Sequence, residues 1–353
     1  MAGPRQAYFS LPGVTPAQSC DLKGMREGPK ARETLLSSTG GWYGPVLDFL
    51  IGAGPWLLAV GIAAAGLTAL IETSEGAEQW LKENLVNDNA ISALSSMLAF
   101  LVVARISANL SQNSSVVGMF GSLCGATVGL SLNVRGLATA VSTMDACKSK
   151  LGLAIASLPH AVYYKSAGVD LEGRVHELSF RDRHVLPICD DSGAFEDFVK
   201  LHTHSKLPIF ETLVLLSTEY LYQLEASGNV SAPKVGVLMK SLNDVAGIEG
   251  TLSGTLSFQP PRIIDAVLYA LFVLYYLLLL VADLVPTLSW SSIWVSMIVV
   301  LSTAGLYGIS TRLKNPFLDR GGAQNQRRGV KAAVLATERQ VVGAMNSARL
   351  SGF

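Results

Sequence analysis

The feature that most constrains this chain is a long apolar run between Ile263 and Leu284, which contains the sequence LYALFVLYYLLLLVADL. A helix needs about 20 mainly apolar residues to cross the hydrocarbon core of a bilayer, and this run has that length. Charged residues make up only 15% of the chain, whereas soluble domains carry about 25%. We therefore interpret the chain as an integral membrane protein.

Three further stretches meet or approach the requirements for a membrane span. They lie at about 46–71, 90–105 and 290–309. The last of them follows the run at 263–284 after a short turn around Pro286, so these two are expected to form a helical hairpin. Because the region between the second and third spans has helical periodicity, the sequence predicts an all-α membrane protein with four transmembrane helices.

We divide the chain into five segments according to these spans and the polarity between them. They are a polar N-terminal segment, 1–41; the first two transmembrane helices, 42–110; a soluble helical region, 111–262; a transmembrane hairpin, 263–312; and a basic C-terminal tail, 313–353. Apolar residues in the soluble region recur every three or four positions, which is typical of helices with one buried face. The clearest series are Ile209, Leu213, Leu216, Tyr220 and Val235, Leu238, Leu242, Val245.

Basic residues flank the outer ends of the set of spans. By the positive-inside rule both termini lie on the cytoplasmic side, or on the equivalent stromal side of an organelle membrane. The N-terminal segment lacks the apolar core of a secretory signal. Its basic residues fit an organelle transit peptide, but Asp21, Glu27 and Glu33 argue against one. The flanking basic residues are Lys23, Arg26, Lys30, Arg32, Arg312, Lys314, Arg320, Arg327, Arg328 and Lys331.

An apolar segment from Val116 to Val134 allows two interpretations. Gly121, Gly125 and Gly129 recur every four residues, which fits a fifth span with a close-packing face. Alternatively, the segment continues the second helix and is buried against other parts of the protein. An odd number of spans would place the termini on opposite sides of the membrane, so the charge bias favours the buried helix.

Nothing in the sequence indicates an enzyme, a cofactor or a metal site. The formal net charge is zero, which gives no basis for nucleic-acid binding. The four cysteines are far apart and form no metal-binding pair. His202 and His204 are two residues apart, but a closed zinc site requires four ligands. We interpret these histidines as surface or packing residues.

The second span differs from a helix that faces lipid all round. It reads AISALSSMLAFLVVARISANLSQNSS and mixes small and polar residues with large apolar ones. Ser96, Phe100 and Ala104 are four residues apart and therefore share one face of a helix. Such a face can line a central axis, where an apolar constriction passes ions when it is wetted. It can equally allow close packing between helices.

Three motifs resemble the bestrophin family over roughly residues 40–330. The stretch FLVVARISAN, which includes Arg105, resembles the family's second-helix signature. The stretch LKNPFLDRGG, with Asn315, Pro316 and Phe317, resembles the segment after the fourth helix. The stretch GTLSFQPPRIIDAVLYALFVLYYLLLL resembles the proline-containing entry into the third helix. The order of two spans, a long helical insert and a tight pair also agrees, so the chain resembles a divergent member.

The resemblance implies a homopentameric channel in a lipid bilayer that conducts small anions such as chloride, nitrate or bicarbonate. The second helix would line a hydrophobic neck formed by Ser96, Phe100 and Ala104, and the soluble insert would form a vestibule. Ser96 and Ala104 are smaller than the family's usual residues, which predicts a wider neck. The competing interpretations are a secondary transporter, whose first span would break at Gly52, Gly54 and Pro55, and a structural protein of the same fold without a working pore.

Two departures from the family concern the segments after the last span. Members gated by calcium carry an acidic run there, because hard cations need several oxygen ligands. Here only Asp319 follows the Pro-Phe pair, and Lys314 replaces a family glutamate. We therefore expect calcium-independent opening. The C-terminal tail is expected to form an amphipathic helix that wraps a neighbouring subunit or covers the pore, or else to remain a solvated tail.

Overall fold

The computed structural model describes most of the chain, and the described residues form a helical membrane fold. They are 43–74, 76–84, 88–137, 144–168, 185–227, 230–257, 262–287, 290–313, 316–317 and 324–346. They form ten α-helices and a short 3-10 turn at Pro187–Asp190, and none of these residues lies in a strand. The helices are α1 (Tyr43–Thr73), α2 (Ala77–Asn84), α3 (Asp88–Leu137), α4 (Met144–Ser166), α5 (Ser192–Ser205), α6 (Ile209–Ala226), α7 (Ala232–Ser257), α8 (Arg262–Thr287), α9 (Trp290–Leu313) and α10 (Gln324–Asn346).

Three of these helices contain stretches long and apolar enough to cross a membrane. The stretches are Ala53–Thr73 in α1, Ile91–Arg135 in α3 and Asp265–Ala282 in α8. Helix α9 adds a shorter described apolar stretch, Ser296–Gly308. The predicted total of four spans therefore stays a prediction for α9. Helix α1 is continuous through Pro55, because a proline in a membrane helix is tolerated when neighbouring groups satisfy the freed carbonyl.

The membrane part consists of α1, α8, α9 and the first half of α3, which share one apolar cluster. Trp56 of α1 is partly buried against this cluster and packs its ring against Tyr269, Phe272 and Tyr276 of α8, with ring centroids 5.4–5.8 Å apart. Such offset and edge contacts are the favoured arrangements for aromatic rings. The buried members of the cluster are Val60, Ala64, Leu98, Val102, Leu268, Phe272, Tyr275, Tyr276, Leu280, Val300 and Tyr307.

Helix α3 resolves the two interpretations of the segment Val116–Val134. It is one continuous helix of 50 residues, about 75 Å long at a rise of about 1.5 Å per residue. A hydrocarbon core is only about 30 Å thick, so the helix continues well outside the membrane. Val116, Phe120 and Leu123 are fully buried in the extramembrane core. The segment is therefore a continuation of the second span that buries one of its faces in this core.

The extramembrane part consists of α4 to α7, α10 and the second half of α3. The periodic series predicted in α6 and α7 are confirmed, since every member from Ile209 to Tyr220 and from Val235 to Val245 is buried. Helix α5 begins at a cap in which Asp191 accepts a hydrogen bond of 2.8 Å from the backbone N–H of Ala194. This cap satisfies one of the free N–H groups at the helix start.

Helix α10 is part of the extramembrane core and packs against α3 and α4 of the same chain. Val334 and Val341 are fully buried there, and Met345 packs closely against Gly152 of α4. The carboxylate of Glu338 lies 2.9 Å from Nε2 of the buried His160. The expectation of a solvated tail is therefore wrong for Gln324–Asn346, because this helix has an apolar face and a polar partner inside the fold.

Candidate pore face and ion pair

The face of α3 that carries Ser96, Phe100 and Ala104, which the sequence indicated as pore-lining or packing, points away from its own subunit. Ser96, Phe100 and Ala104 are all exposed, and the side chain of Phe100 is 72% exposed. Leu98 and Val102, on the opposite face, are buried in the membrane cluster. The exposed face of such a membrane helix is covered by lipid, by another subunit or by a water-filled cavity.

The polar group on this face is satisfied within its own helix. The hydroxyl of Ser96 donates a hydrogen bond of 2.9 Å to the backbone carbonyl of Ser92. A serine in a membrane helix commonly uses this bond, because an unpaired donor is costly in an apolar environment. The oxygen of Ser96 remains exposed as an acceptor, so the face is weakly polar at this depth and carries no charge at Ser96, Phe100 or Ala104.

The exposed face of α3 continues outside the membrane with small residues. No side chain packs against Gly121 or Gly125, and a Cβ at either position would meet nothing within 4 Å. The Gly-x-x-x-Gly pattern therefore makes no helix-packing contact within the described part of the subunit. Because these residues have no or short side chains, this part of the helix surface is smooth. The exposed small residues that follow the neck positions up to Gly125 are Ser107, Ala108, Ser111, Ser114, Ser115, Gly118, Gly121, Ser122 and Gly125, and the large residue Leu110 is exposed among them.

An ion pair links α3 to the hairpin directly behind the neck positions. Nη2 of Arg105 lies 2.7 Å from Oδ1 of Asp265 in α8, and the two side chains are 11% and 32% exposed. The hydroxyl of Tyr307 in α9 donates a hydrogen bond of 3.0 Å to the same oxygen. Charges at membrane depth pair with one another because an isolated charge there is costly.

The sequence drew attention to Arg105 through a family motif but did not pair it with Asp265. The two residues are 160 positions apart, so no local pattern connects them. The available signal was that a basic and an acidic residue each occur at the end of a predicted span, where unpaired charges are disfavoured. Two such residues on adjacent helices are candidates for a pair.

A crevice opens beside this ion pair, between α3 and α7. Gln112 crosses it and donates a hydrogen bond of 2.9 Å to the backbone carbonyl of Thr255. Arg105 is the only charged residue among the eight that line the crevice. The lining residues are Arg105, Ala108, Asn109, Ser111, Gln112, Thr251, Gly254 and Thr255.

The Pro-Phe motif after the last span contributes to packing. Phe317 is 0% exposed, and its ring contacts Phe120 and Tyr163 with centroid separations of 5.2 and 6.0 Å. Pro316 is also buried. Asn315 lies outside the described residues. Residues 318–323, which bear on calcium binding, also lie outside them. The motif thus connects the end of the membrane part to the extramembrane core.

The two histidines singled out in the sequence lie in α5 and do not form a joint site. His202 stacks on Phe198 with a centroid separation of 5.9 Å and lies 3.3 Å from the hydroxyl of Thr212. His204 contacts the backbone carbonyl of Lys200 at 2.9 Å. Residues two apart in a helix point in different directions. Within the described ranges, no group of three acidic, histidine or cysteine residues is arranged to hold a metal.

Titratable groups in the extramembrane part form paired networks. Burial alone would raise the pKa of Asp197, but hydrogen bonds from Lys150 (2.8 Å) and Tyr220 (3.0 Å) outweigh it and hold that pKa below its ordinary value. Burial and the neighbouring Asp197 carboxylate raise the pKa of the Tyr220 hydroxyl. The arrangement joins α4, α5 and α6 and has the character of a structural network, since each donor has an acceptor.

Comparison with known proteins identifies the fold. No protein-family profile matches the sequence, and no curated protein matches it significantly. Three crystal structures of a bacterial bestrophin homologue from Klebsiella pneumoniae are similar to this chain. A form with a tryptophan-to-alanine mutation has a TM-score of 0.62 and 17% identity, over 86% of this chain and 100% of that chain.

The other two structures give the same result. A form phased with zinc has a TM-score of 0.58 and 16% identity, over 85% of this chain and 98% of that chain. A form with an aspartate-to-alanine mutation has a TM-score of 0.56 and 17% identity, over 83% and 98% of the two chains. The similarity extends over nearly the whole length of the bacterial protein and confirms the resemblance seen in the motifs. The chain therefore has the fold of the bestrophins.

Proposed function

We propose that this chain is one subunit of a homopentameric channel that conducts small inorganic anions passively across a membrane. The observation that carries the proposal is the exposed face of α3, which begins at Ser96 and continues to Gly125. A helix of this kind, on a bestrophin fold, supports a central pore when copies of the chain surround one axis. The pentamer and the anion preference come from the resemblance to bestrophins.

The narrowest part of the pore is proposed to lie at Ser96, Phe100 and Ala104. An apolar constriction conducts only when water fills it, and its width decides how readily that happens. Five Phe100 side chains would supply the apolar ring. Ser96 and Ala104 leave more space above and below that ring than large apolar residues would, which supports a neck that wets easily.

An anion preference is supported without a ring of charge at the neck itself. The edge of an aromatic ring such as that of Phe100 is slightly positive. Arg105 lies next in sequence to Ala104 and carries the nearest basic group on α3. These features favour anions as a class and discriminate only weakly among chloride, nitrate and bicarbonate.

Opening is proposed to be independent of calcium, and both termini are proposed to lie on the cytoplasmic or stromal side. The residues after the Pro-Phe pair are Leu318, Asp319, Arg320, Gly321 and Gly322. One carboxylate among them offers too few oxygen ligands for a calcium ion, which takes six to eight. The sidedness follows from the basic residues that flank the spans.

The test is anion flux from liposomes that contain the purified protein. Chloride and nitrate gradients are applied with calcium added and with calcium chelated. Passive flux that is equal in both conditions supports a calcium-independent channel. Flux that requires a coupled ion gradient would point to a secondary transporter. A folded oligomer without flux would point to a structural protein of the same fold.

The position of the neck is tested by filling the space around Phe100. The double change Ser96→Ile and Ala104→Phe narrows the proposed constriction, so we expect chloride flux to fall by at least about tenfold through loss of wetting. The control is Ile62→Phe, which enlarges an exposed residue of α1 in the membrane part. Unchanged flux in the double variant would contradict the neck assignment.

A further inference from the structure

The ion pair between Arg105 and Asp265 occupies only some of the N–H donors of the Arg105 guanidinium. A guanidinium has five N–H donors, and Arg105 contacts Asp265 through Nη2 at 2.7 Å. Its Nε is buried away from solvent and has no hydrogen-bond partner among the residues that the structure describes, so the donors that an anion in the adjacent crevice could reach are the remaining N–H groups of the two Nη atoms. An unsatisfied donor on a buried charged group costs free energy. Arg105 therefore retains donor capacity after it has bound its counter-ion.

The counter-ion is itself shared between two donors. Oδ1 of Asp265 accepts from both Arg105 and the hydroxyl of Tyr307, at 2.7 and 3.0 Å. The carboxylate keeps its full charge when it accepts from both donors, but that charge lies on the α8 side of the guanidinium. The side of Arg105 that faces away from α8 is therefore the more positive side of the pair.

The crevice between α3 and α7 lies where this potential has an effect. Its lining includes Arg105, hydroxyl and amide groups, and no acidic residue. Ala108 and Ser111 connect the crevice with the exposed face of α3. A small anion that moves along this face can therefore enter a crevice in which Arg105 is the one charged residue of the lining.

We propose that this crevice binds a small inorganic anion, such as chloride, and that Asp265 sets the affinity of the site by competing with the anion for the Arg105 guanidinium. The role of the site in permeation rests on the proposed function. Its occupancy does not, because binding can be measured without transport. Within the pore, the site would hold an anion one helical turn past the neck.

Chloride binding is measured by its effect on thermal unfolding of the detergent-purified protein, with gluconate replacing chloride at constant ionic strength. A ligand that binds only the folded state raises the unfolding temperature. Asp265→Asn removes the competitor, so the half-saturating chloride concentration should fall by about threefold or more. Arg105→Gln should abolish the chloride-dependent rise. The double variant lacks the guanidinium and should also show no rise.

Two surface changes test the site without touching the ion pair. Ala108 is exposed on the crevice wall, so Ala108→Lys should lower the half-saturating chloride concentration and Ala108→Glu should raise it. The control is Glu219→Gln, which removes an exposed carboxylate from α6 and should leave the concentration unchanged. These variants test chloride binding in the crevice even if a change at Asp265 or Arg105 prevents folding.

Opposite outcomes distinguish this site from a purely structural ion pair. A structural pair predicts that Asp265→Asn and Arg105→Gln both lower stability and leave chloride binding equally unaltered, which would overturn the proposal. Equal chloride binding in Ala108→Lys and Ala108→Glu would overturn it as well. Chloride binding in a protein without flux would refute the channel and keep the site. Flux with no chloride-dependent stabilisation would refute the site and keep the channel.

Discussion

The membrane part of this protein exposes many of its large apolar residues, whereas the extramembrane part buries most of its own. In the membrane part, Leu58, Ile62, Trp294 and Ile298 are all more than half exposed. In the extramembrane part, residues of the same kind form a continuous buried core between α3, α4, α6 and α7. Lipid does not penalise exposed apolar surface, whereas water does. The exposed apolar side chains thus indicate that lipid surrounds the membrane part and water surrounds the extramembrane part.

The two parts also differ in how they treat charge. The described membrane part has an ion pair between Arg105 of α3 and Asp265 of α8. The extramembrane part distributes several pairs over its helices. They are Lys150–Asp197, His160–Glu338, Lys165–Glu249 and Lys200–Glu196. The described ion pair of the membrane part joins α3 to α8, and most of the extramembrane pairs likewise join neighbouring helices.

The largest expected effect compares two aromatic residues that the sequence motifs singled out together. Phe317→Ala removes a fully buried ring between Phe120 and Tyr163, and should lower the free energy of unfolding by about 3–5 kcal/mol. Phe100→Ala removes an exposed ring and should change subunit stability by less than about 0.5 kcal/mol. Thermal and denaturant unfolding in detergent measure both. Equal losses would show that burial does not separate the two positions.

The next effect concerns the polar contact that attaches the C-terminal helix. Glu338→Leu leaves the buried His160 ring nitrogen without the carboxylate that lies 2.9 Å from it, and should cost about 1–3 kcal/mol. Gln340→Leu changes an exposed residue of the same helix and is the matched control. Limited proteolysis should release α10 from the first variant and not from the second. Equal protection in both would contradict a polar attachment.

A third effect compares a crowded glycine with an open one. A Cβ at Gly152 would lie 2.7 Å from Cγ of Met345, so Gly152→Ala should push α10 away and cost about 1–3 kcal/mol. A Cβ at Gly247 in α7 would meet nothing within 4 Å, and Gly247→Ala should stabilise the helix by up to about 1 kcal/mol. Unfolding temperatures of the two variants should move in opposite directions. A stabilising change at Gly152 would show that α10 packs more loosely.

The smallest effect is the dependence of the extramembrane part on acid. Because the folded-state pKa of Asp197 is lowered, its ionised form stabilises the fold above its unfolded-state pKa. That contribution is lost as the pH falls through the lower, folded-state value. Asp197→Asn should therefore reduce the unfolding temperature slightly near neutral pH, and the difference from the original protein should vanish as the pH falls through the lowered folded-state pKa of Asp197. A difference that persists in acid would assign the effect to packing.

Much of the architecture could be predicted from local patterns. The apolar run in α8 identifies a membrane helix. The periodic series in α6 and α7 identify helices and their buried faces, since residues three or four positions apart lie on the same side of a helix. The same reasoning located the face of α3 that carries Ser96, Phe100 and Ala104. It could not choose between a pore and a packing surface, because composition is similar in both.

The sequence by itself determined that this is a helical membrane protein and which faces of its helices are apolar. Tertiary structure decided that α3 is one continuous helix and that Phe317 is a core residue. It also decided that α10 packs against its own subunit and that Arg105 binds Asp265. The physical reason is the sequence separation over which each kind of interaction acts. Solvation and helix periodicity act on neighbouring residues and leave a local pattern, whereas an ion pair across 160 positions depends on how whole helices pack.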